Sequence, residues 1–450
     1  MTNPSPQRPP DLPGLRHAFG FAVFNALSYQ IVLGSPMILY AKSLGAGATV
    51  LGVVAGMMPL LVIFQIPAAS HVPRLGYRRF MVSGWSLRVM FIFLMAMVPL
   101  TSGFLREMGR LSLLLLLLFG FNLSRGISSA AWLPWITNLV PGESRGWYLA
   151  RESACANLAS AVTLLLAAAT LGEQPAAWQY AATFLFSASM GALSLWFLRR
   201  IPDTPCVETE SRSREPVPWR AIAAHPPFRK LLRLNVAWSV AYGGMTAFTV
   251  AYLKVFAGMS SGWILAATAI SSLGGLGGLV LFGSRLDRHG SRPVLLLCVI
   301  GWMAVAGLWA MIAGGWMRPG LGVVIALQVA MGLGYAVFSM ANTRLAMAVA
   351  PAMGRSHFFA LFSVVSNLTL GISPVLWGLL IDGWADRTLG VGGFEVNRYS
   401  LFYLLATVAF GVTLGLSRRL DEPTAGRLPH LIQDLLARRP LRGWMRLWPR

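Results

Sequence analysis

Apolar residues recur along the chain in twelve long runs that are separated by shorter polar segments. Runs of about 20 apolar residues are long enough to cross a bilayer as α-helices. They are too long, and alternate too little, for the strands of a membrane barrel. The pattern predicts an all-α membrane protein with twelve spans, at 17–41, 48–70, 80–101, 111–140, 152–172, 177–200, 229–256, 260–284, 293–317, 319–350, 357–381 and 398–418.

Basic residues divide unequally between the two sides of these spans. The termini and the connections after spans 2, 4, 6, 8 and 10 carry 27 of the 37 Lys and Arg residues, and the other connections carry seven. Because Lys and Arg gather in cytoplasmic loops, we predict an inner (plasma) membrane protein with both termini in the cytoplasm. This topology also accounts for the net charge of +21, so we expect no nucleic-acid partner.

The composition excludes an ordinary soluble domain and gives little sign of catalysis. The chain is 56% hydrophobic and 12% charged, whereas soluble domains are about 45–50% apolar and about 25% charged. The three cysteines show no pairing or ligand pattern, and no His or carboxylate cluster has the spacing of a metal site. We therefore expect a protein that is not an enzyme and that binds no metal or cofactor.

The longest polar stretch between spans divides the chain into two similar halves. Residues 201–228 are predicted to be a cytoplasmic linker with a short surface helix, between six-helix bundles at 1–200 and 229–420. An offset of 210 residues maps the first half onto the second, as in Asn25 and Asn235, Pro141 and Pro351, Arg145 and Arg355, and Asn157 and Asn367. Such a duplication predicts two pseudo-symmetric bundles in parallel orientation.

The connection between spans 8 and 9, GSRLDRHGSR, carries an unusual density of charge. Gly283, Asp287, Arg288, Gly290 and Arg292 lie there at the spacing of a known loop signature. In this respect the chain resembles the major facilitator superfamily (MFS) of secondary transporters. The helix number, the central linker and the repeat extend the resemblance over essentially the whole chain. It implies a permease that works by alternating access between two six-helix bundles.

The resemblance also implies a gating role for this loop, since such loops close the cytoplasmic side in the family. We expect Asp287, Arg288, Gly290 and Arg292 to form the latch, with the repeat-related residues Arg145 and Arg355 as partners. The alternative is a short cytoplasmic connector whose basic residues only fix the orientation of the protein in the membrane. The equivalent loop of the first half has Ala69 and Pro73 in place of the Gly and Asp, which leaves the latch to the second half or weakens it.

In the MFS fold, spans 1, 4, 7 and 10 line the substrate cavity. The polar and aromatic residues on these spans are the candidate substrate contacts, namely Asn25, Tyr29, Asn122, Arg125, Trp132, Asn235, Trp238, Tyr242, Tyr335 and Asn342. The alternative for each is packing between helices. Arg125 stands apart, because a charge near the middle of a span is costly and indicates function or a buried partner. We expect Arg88 to be structural and to snorkel, and Arg344 fits either role.

No Asp or Glu lies near the middle of a span, which argues against an obvious proton relay. An arginine without a facing carboxylate suits a negatively charged solute, so we predict a small organic anion as the substrate. A neutral polar solute such as a sugar is the first alternative. The second is a sensor or assembly factor that keeps the fold without transport. We expect a monomer whose partners are its substrate and the lipid bilayer.

The C-terminal segment, residues 421–450, is basic and amphipathic. Leu431, Ile432, Leu435 and Leu436 share one face of a helix, and Pro440 interrupts the segment. Segments of this kind bind anionic lipid headgroups. We therefore predict a cytoplasmic tail that lies on the inner leaflet.

Overall fold

A computed structural model describes residues 15–140, 145–204, 225–349, 355–385, 387–422, 426 and 428–437. Within these ranges, twelve helical segments are long and apolar enough to cross a membrane, which confirms the prediction. These spans, numbered in chain order, are Leu15–Ser43, Ala48–Ala69, Tyr77–Gly103, Glu107–Ile136, Arg151–Leu171, Ala177–Leu198, Pro226–Val255, Ser261–Gly283, Ser291–Ala313, Leu321–Val349, Leu361–Gly383 and Arg398–Ser417.

Several spans contain more than one helix. The α-helices are α1 Leu15–Leu33, α2 Ser35–Ser43, α3 Ala48–Val62, α4 Gln65–Ala69, α5 Val72–Leu75, α6 Tyr77–Met97, α7 Glu107–Ser128, α8 Trp132–Leu139, α9 Arg145–Leu171, α10 Ala177–Leu198, α11 Pro226–Tyr242, α12 Met245–Val255, α13 Ser261–His289, α14 Ser291–Ala313, α15 Leu321–Val349, α16 Arg355–Gly383, α17 Arg398–Ser417 and α18 Leu428–Ala437. Turns of 3-10 helix follow α6 at Val98–Gly103 and α7 at Ser129–Ala131.

Spans 1 and 7 are each broken, where the apolar pattern alone predicted continuous helices. Gly34 separates α1 from α2, and Pro36 lies in the first turn of α2, where its missing N–H costs nothing. Gly243 and Gly244 separate α11 from α12, and Gly244 has a φ of +82°, which glycine adopts far more readily than other residues. Gly34 and Gly244 are 210 residues apart, so the two breaks are equivalent in the repeat.

The same offset relates whole helices of the two halves. It brings α1 onto α11 and α2 onto α12, and it brings Arg145–Leu171 onto Arg355–Gly383 with the same starting position. The architecture is therefore two pseudo-symmetric six-helix bundles, as the sequence predicted. Most of the predicted linker and surface helix falls on residues 205–224, outside the described residues.

The bundles meet along two seams, in which span 2 packs on span 11 and span 5 packs on span 8. Small residues allow close approach of the backbones at the first seam. A Cβ atom at Gly52 would lie 2.2 Å from the Pro374 carbonyl oxygen, and one at Gly378 would lie 2.5 Å from that of Ala48. Glycines at such contacts are typical of helix pairs in membranes, where tight packing replaces the hydrophobic driving force.

Hydrogen bonds join the bundles on the far side, which we define as the side opposite the chain termini. The Asp382 carboxylate, at the end of span 11, accepts from the backbone N–H groups of Ala48 and Thr49 at 2.9 and 2.7 Å, and from the Thr49 hydroxyl at 2.7 Å. At the other seam, the Gly262 N–H donates to the Gly172 carbonyl at 2.7 Å. Because α2 and α12 also pack together, the molecule is closed on its far side.

A short hairpin lies on the far side between spans 11 and 12. Its strands, β1 Leu389–Val391 and β2 Phe394–Val396, are antiparallel, with Leu389 opposite Val396. Gly392 and Gly393 form the turn, both with positive φ, which suits a two-residue hairpin loop. The apolar-run analysis missed this hairpin, although a Gly-Gly pair between apolar residues is a recognised signal for one.

The tail helix α18 packs against the terminus-side ends of spans 8 and 9. Leu431 is fully buried there, whereas Ile432 remains exposed. The amphipathic face predicted for the tail therefore lies partly on protein. Residues 438–450, which include Pro440, are outside the described residues, and contact between the tail and the inner leaflet stays a prediction.

Candidate functional site

Side chains from spans 1, 3, 4 and 10 come together between the two bundles. The Tyr29 hydroxyl lies within electrostatic reach of the Arg88 and Arg125 guanidinium groups and of the Tyr335 hydroxyl. Tyr29 and the two arginines belong to the N-terminal bundle, and Tyr335 belongs to the C-terminal bundle. The candidate site therefore has walls from both halves. Interrupted helices at equivalent positions of two repeats are a pointer to the substrate site in secondary transporters.

Arg125 presents an uncompensated charge to this site. Its side chain is half-buried, and its guanidinium makes no hydrogen bond or ion pair with another described residue. Its neighbour Gly126 packs closely on span 2, where a Cβ atom would lie 2.2 Å from the Leu61 carbonyl oxygen, so the helix that carries Arg125 is held tightly. A partly desolvated cation without a counter-ion is costly, and an anionic ligand would compensate it.

Arg88 lies behind Arg125 and does not snorkel, so that expectation was wrong. Its side chain is fully buried between spans 1, 3 and 4, with the guanidinium 4.8 Å from the Trp85 ring and 5.3 Å from the Phe121 ring. It donates to the Asn25 amide oxygen, to which the Trp85 indole N–H also donates at 3.4 Å. The Arg88 Nε and Nη1 atoms have no partner among the described residues.

This arrangement determines which end of the Asn25 amide is free. Because Arg88 and Trp85 donate to its oxygen, Asn25 can offer only its N–H2 group to the site. The wall of the N-terminal bundle is thus rich in hydrogen-bond donors and positive charge. Such a wall is chemically suited to carboxylate, sulfonate or phosphate groups.

The two other candidates on span 4 lie in different surroundings. Asn122 is buried and donates to the Leu118 carbonyl at 2.9 Å, while its oxygen has no partner among the described residues. Trp132 follows the 3-10 turn that ends α7, so it does not continue the helical face of Arg125. It packs on Phe21 with ring centroids 4.8 Å apart.

In the C-terminal bundle, Asn235 and Asn342 pair with each other across spans 7 and 10. Asn235 Nδ2 donates to Asn342 Oδ1 at 3.1 Å, and Asn342 Nδ2 donates to Asn235 Oδ1 at 2.8 Å. Asn235 Nδ2 also donates to the Leu231 carbonyl. Most of the hydrogen-bonding capacity of the two amides is therefore used between helices, which favours packing over ligand contact.

Trp238, Tyr242 and Tyr335 form part of an aromatic stack beside this amide pair. Trp238 is buried and Tyr242 is half-buried, whereas 46% of Tyr335 is exposed. Of the candidates in the C-terminal bundle, Tyr335 is thus the most open to a ligand. The two halves consequently offer different chemistry to the site, cationic donors on one wall and aromatic rings on the other.

The loop between spans 8 and 9 is held by acidic residues of the C-terminal segment. Gly290 has a φ of +83° and forms the tight turn that the sequence predicted. Glu422 accepts from the backbone N–H groups of Ser291 and Arg292 at 2.9 and 2.7 Å, and so caps the N-terminus of span 9. Arg344 lies 3.3 Å from Glu422, so this second arginine within a span has a carboxylate partner.

Tail residue Asp434 lies over the basic side of the same loop. Its carboxylate is 3.2 Å from Arg285 Nε, 3.7 Å from Arg288 and 3.7 Å from His289. The side chains of Asp287, Arg145 and Arg355 are outside the described residues, so the predicted latch between the bundles stays a prediction. Sequence reasoning missed the roles of Asp382, Glu422 and Asp434, whose only signal was an acid near a helix end.

Comparison with known proteins settles the family. The model of the Major Facilitator Superfamily matches residues 18–286 and 262–450, which together cover nearly the whole chain. The chain belongs to the major facilitator superfamily. It is therefore a membrane transport protein, as the loop signature and the repeat indicated.

Solved MFS structures share the fold at low sequence identity. A mutant of the nucleoside transporter NupG superposes with a TM-score of 0.71 at 10% identity, over 91% of this chain and 100% of that one. A D-xylose–proton symporter superposes with a TM-score of 0.70 at 12% identity, over 92% of this chain and 98% of that one. The xylose transporter XylE from E. coli, in an inward-open conformation, superposes with a TM-score of 0.67 at 13% identity, over 93% of this chain and 98% of that one. A search of curated proteins finds no significant match to this MFS sequence.

Proposed function

We propose that this MFS protein is a secondary transporter that moves a small organic anion across the inner membrane by alternating access. The observation that carries the proposal is Arg125, a half-buried cation between the bundles whose guanidinium has no partner among the described residues. With both termini in the cytoplasm, closure of the far side excludes a state that is open to the outside. Asn25, Tyr29 and Arg125 then form the wall that receives the negative charge.

The donor-rich surroundings favour an anion over a neutral solute. A sugar requires acceptors as well as donors, but the Asn25 oxygen is occupied by Arg88 and Trp85, and the Asn235–Asn342 amides bond to each other. An anionic group accepts hydrogen bonds and donates none, which matches the donor groups that Asn25 and Arg125 have free. The transporters of nucleosides and xylose that share the fold are too distant in sequence to transfer their substrates.

The first test is a thermal-shift screen of the purified protein against organic anions and sugars, followed by uptake into sealed proteoliposomes. We expect anions to stabilise the protein and to be transported. Binding without flux would instead support the sensor alternative. Arg125→Gln should weaken binding of the identified anion tenfold to over a hundredfold, because a hydrogen bond to a charged group contributes about 1.5–3 kcal/mol.

Arg125→Lys should restore only part of the affinity, since lysine lacks the planar fork of the guanidinium. Arg318→Gln, which removes an exposed cation from the far-side connection between spans 9 and 10, is the matched control and should leave affinity unchanged. The proposal fails if folded Arg125→Gln binds the anion as tightly as the wild-type protein. It also fails if the transported solute is uncharged.

A further inference from the structure

Four aromatic rings in the C-terminal bundle form a continuous, nearly parallel stack. Phe338 and Trp238 have ring centroids 3.4 Å apart at 7°. Trp238 and Tyr242 follow at 5.5 Å and 6°, and Tyr242 and Tyr335 at 5.1 Å and 20°. Trp302 meets Trp238 and Tyr242 edge-on, at 88° and 89°, and fixes the stack from the side. The order of the rings across spans 7 and 10 is therefore rigidly defined.

The stack ends at the candidate site. Phe338 and Trp238 are buried, as expected for rings that only pack, but Tyr335 at the end of the stack is 46% exposed. Among the described residues, Tyr242 alone stacks on Tyr335. Tyr335 also interacts electrostatically with Tyr29 of the other bundle, which supports its assignment to the candidate site. Stacking on one face leaves the other face of the Tyr335 ring for a ligand.

The repeat supports this placement independently. Tyr335 lies 210 residues after Arg125, so the two residues occupy equivalent positions on spans 10 and 4. Residues related by the pseudo-two-fold axis of the two bundles lie on opposite walls of the same site. A single ligand between them would meet the cation on one side and the open end of the aromatic stack on the other.

We infer that the substrate is an organic anion with a flat conjugated ring, which stacks on Tyr335 while its charged group faces Arg125. This inference rests on the proposed anion transport and adds the nature of the rest of the molecule. Flat conjugated rings gain an additional attraction from offset stacking on aromatic side chains, which saturated rings lack. The stack behind Tyr335 holds its ring in place, so little side-chain freedom is lost on binding.

A matched pair of probes tests the ring separately from the charge. Both 2-naphthoate and trans-decalin-2-carboxylate carry one carboxylate on the same carbon skeleton, but only the first is flat and aromatic. Their dissociation constants would be measured by titration calorimetry on the full-length protein in lipid nanodiscs. We expect 2-naphthoate to bind at least about threefold more tightly. Hydrophobicity alone predicts the opposite order, because the saturated probe is the more apolar.

Variants assign the preference to particular residues. Tyr335→Leu should abolish the preference for 2-naphthoate, Tyr335→Phe should retain it, and Arg125→Gln should weaken both probes alike. Trp178→Leu, which removes an exposed ring of span 6, is the control and should change neither constant. If the wild-type protein binds both probes with equal affinity and Arg125→Gln binds neither, the inference of a flat ring is wrong and the anion proposal stands. A preference for 2-naphthoate that survives Tyr335→Leu would also overturn the ring inference. Failure of both probes to bind, while an anion found in the screen still binds, would overturn the ring inference and leave the anion proposal standing.

Discussion

The contact between Asp382 and the start of span 2 makes a sharp prediction about the conformational equilibrium. One carboxylate from the C-terminal bundle accepts three hydrogen bonds from Ala48 and Thr49 of the N-terminal bundle. Two of the donors are backbone N–H groups in the first turn of α3, where the helix dipole also favours negative charge. This contact requires the far side to be closed, and opening of that side would separate its partners.

We expect Asp382→Asn to shift the protein toward the state that is open on the far side. Hydrogen bonds to a charged group contribute about 1.5–3 kcal/mol each, and the neutral amide oxygen would keep part of the set. A net loss of about 2–3 kcal/mol in the closed state changes the equilibrium constant roughly 30- to 150-fold. The other seam is joined by the backbone bond between Gly262 and Gly172, which the substitution leaves unchanged.

The distance between far-side connections of the two bundles reports this shift. Spin labels at Phe104→Cys and Arg318→Cys, both exposed, would be measured by double electron–electron resonance in nanodiscs after replacement of the three native cysteines. A population at longer distance should appear in Asp382→Asn. An unchanged distribution in correctly folded protein would refute the reasoning.

The matched control is Asn397, which also caps a helix on the far side but within one bundle. Its side-chain oxygen accepts from the N–H groups of Tyr399 and Ser400 at 3.0 Å, and its amide donates to the Ala313 carbonyl. Asn397→Ala should lower the melting temperature, since loss of an N-cap costs about 0.5–2 kcal/mol. It should leave the distance distribution unchanged, because all its partners belong to the C-terminal bundle.

Three further predictions concern the terminus side. Glu422→Gln should cost about 1–3 kcal/mol of stability, because it replaces the carboxylate that faces Arg344 by a neutral amide and weakens the cap of span 9, and an unchanged melting curve would count against this. Asp434→Asn should weaken the packing of α18, because it removes the ion pairs with Arg285 and Arg288, and limited proteolysis should then cleave faster beyond Leu420. Equal cleavage rates in the variant and the wild-type protein would show that these ion pairs contribute little. Asp287→Asn should alter transport and the inward/outward balance if the latch operates, and wild-type behaviour in both would remove it from the gating scheme.

Length and apolarity were sufficient to predict the spans and their number, because crossing a bilayer imposes a minimum run of apolar residues. The repeat was visible from a constant offset. The breaks at Gly34 and Gly244 were not predicted, since an apolar run does not show where its backbone stops being helical. The glycines and Pro36 were the available signal, and the equivalence of Gly34 and Gly244 in the repeat strengthens it.

The candidate site was only partly predictable. A residue on span 1, 4, 7 or 10 can face the cavity or a neighbouring helix, and sequence periodicity does not distinguish these. Asn235 and Asn342 looked equivalent to Asn25 as ligand contacts, yet the first two bond to each other. From its position in the sequence, Arg88 looked able to reach a membrane surface. Its side chain instead stays inside the bundle, where it donates to Asn25 of span 1, and such a contact between distant helices cannot be inferred from the sequence.

The repeat also shows how one scaffold came to hold two kinds of chemistry. Asn25 and Asn235 are equivalent, and so are Arg88 and Cys298. Asn25 accepts from Arg88 and from the Trp85 indole, whereas Asn235 pairs with Asn342 beside the aromatic stack. On the proposed binding mode, neither half can hold the substrate alone, because the charge belongs to one bundle and the ring to the other. Affinity then depends on the distance between the bundles, which is the quantity that alternating access changes. A ligand shifts a conformational equilibrium only by its difference in affinity for the two states, and a site divided between both bundles provides that difference.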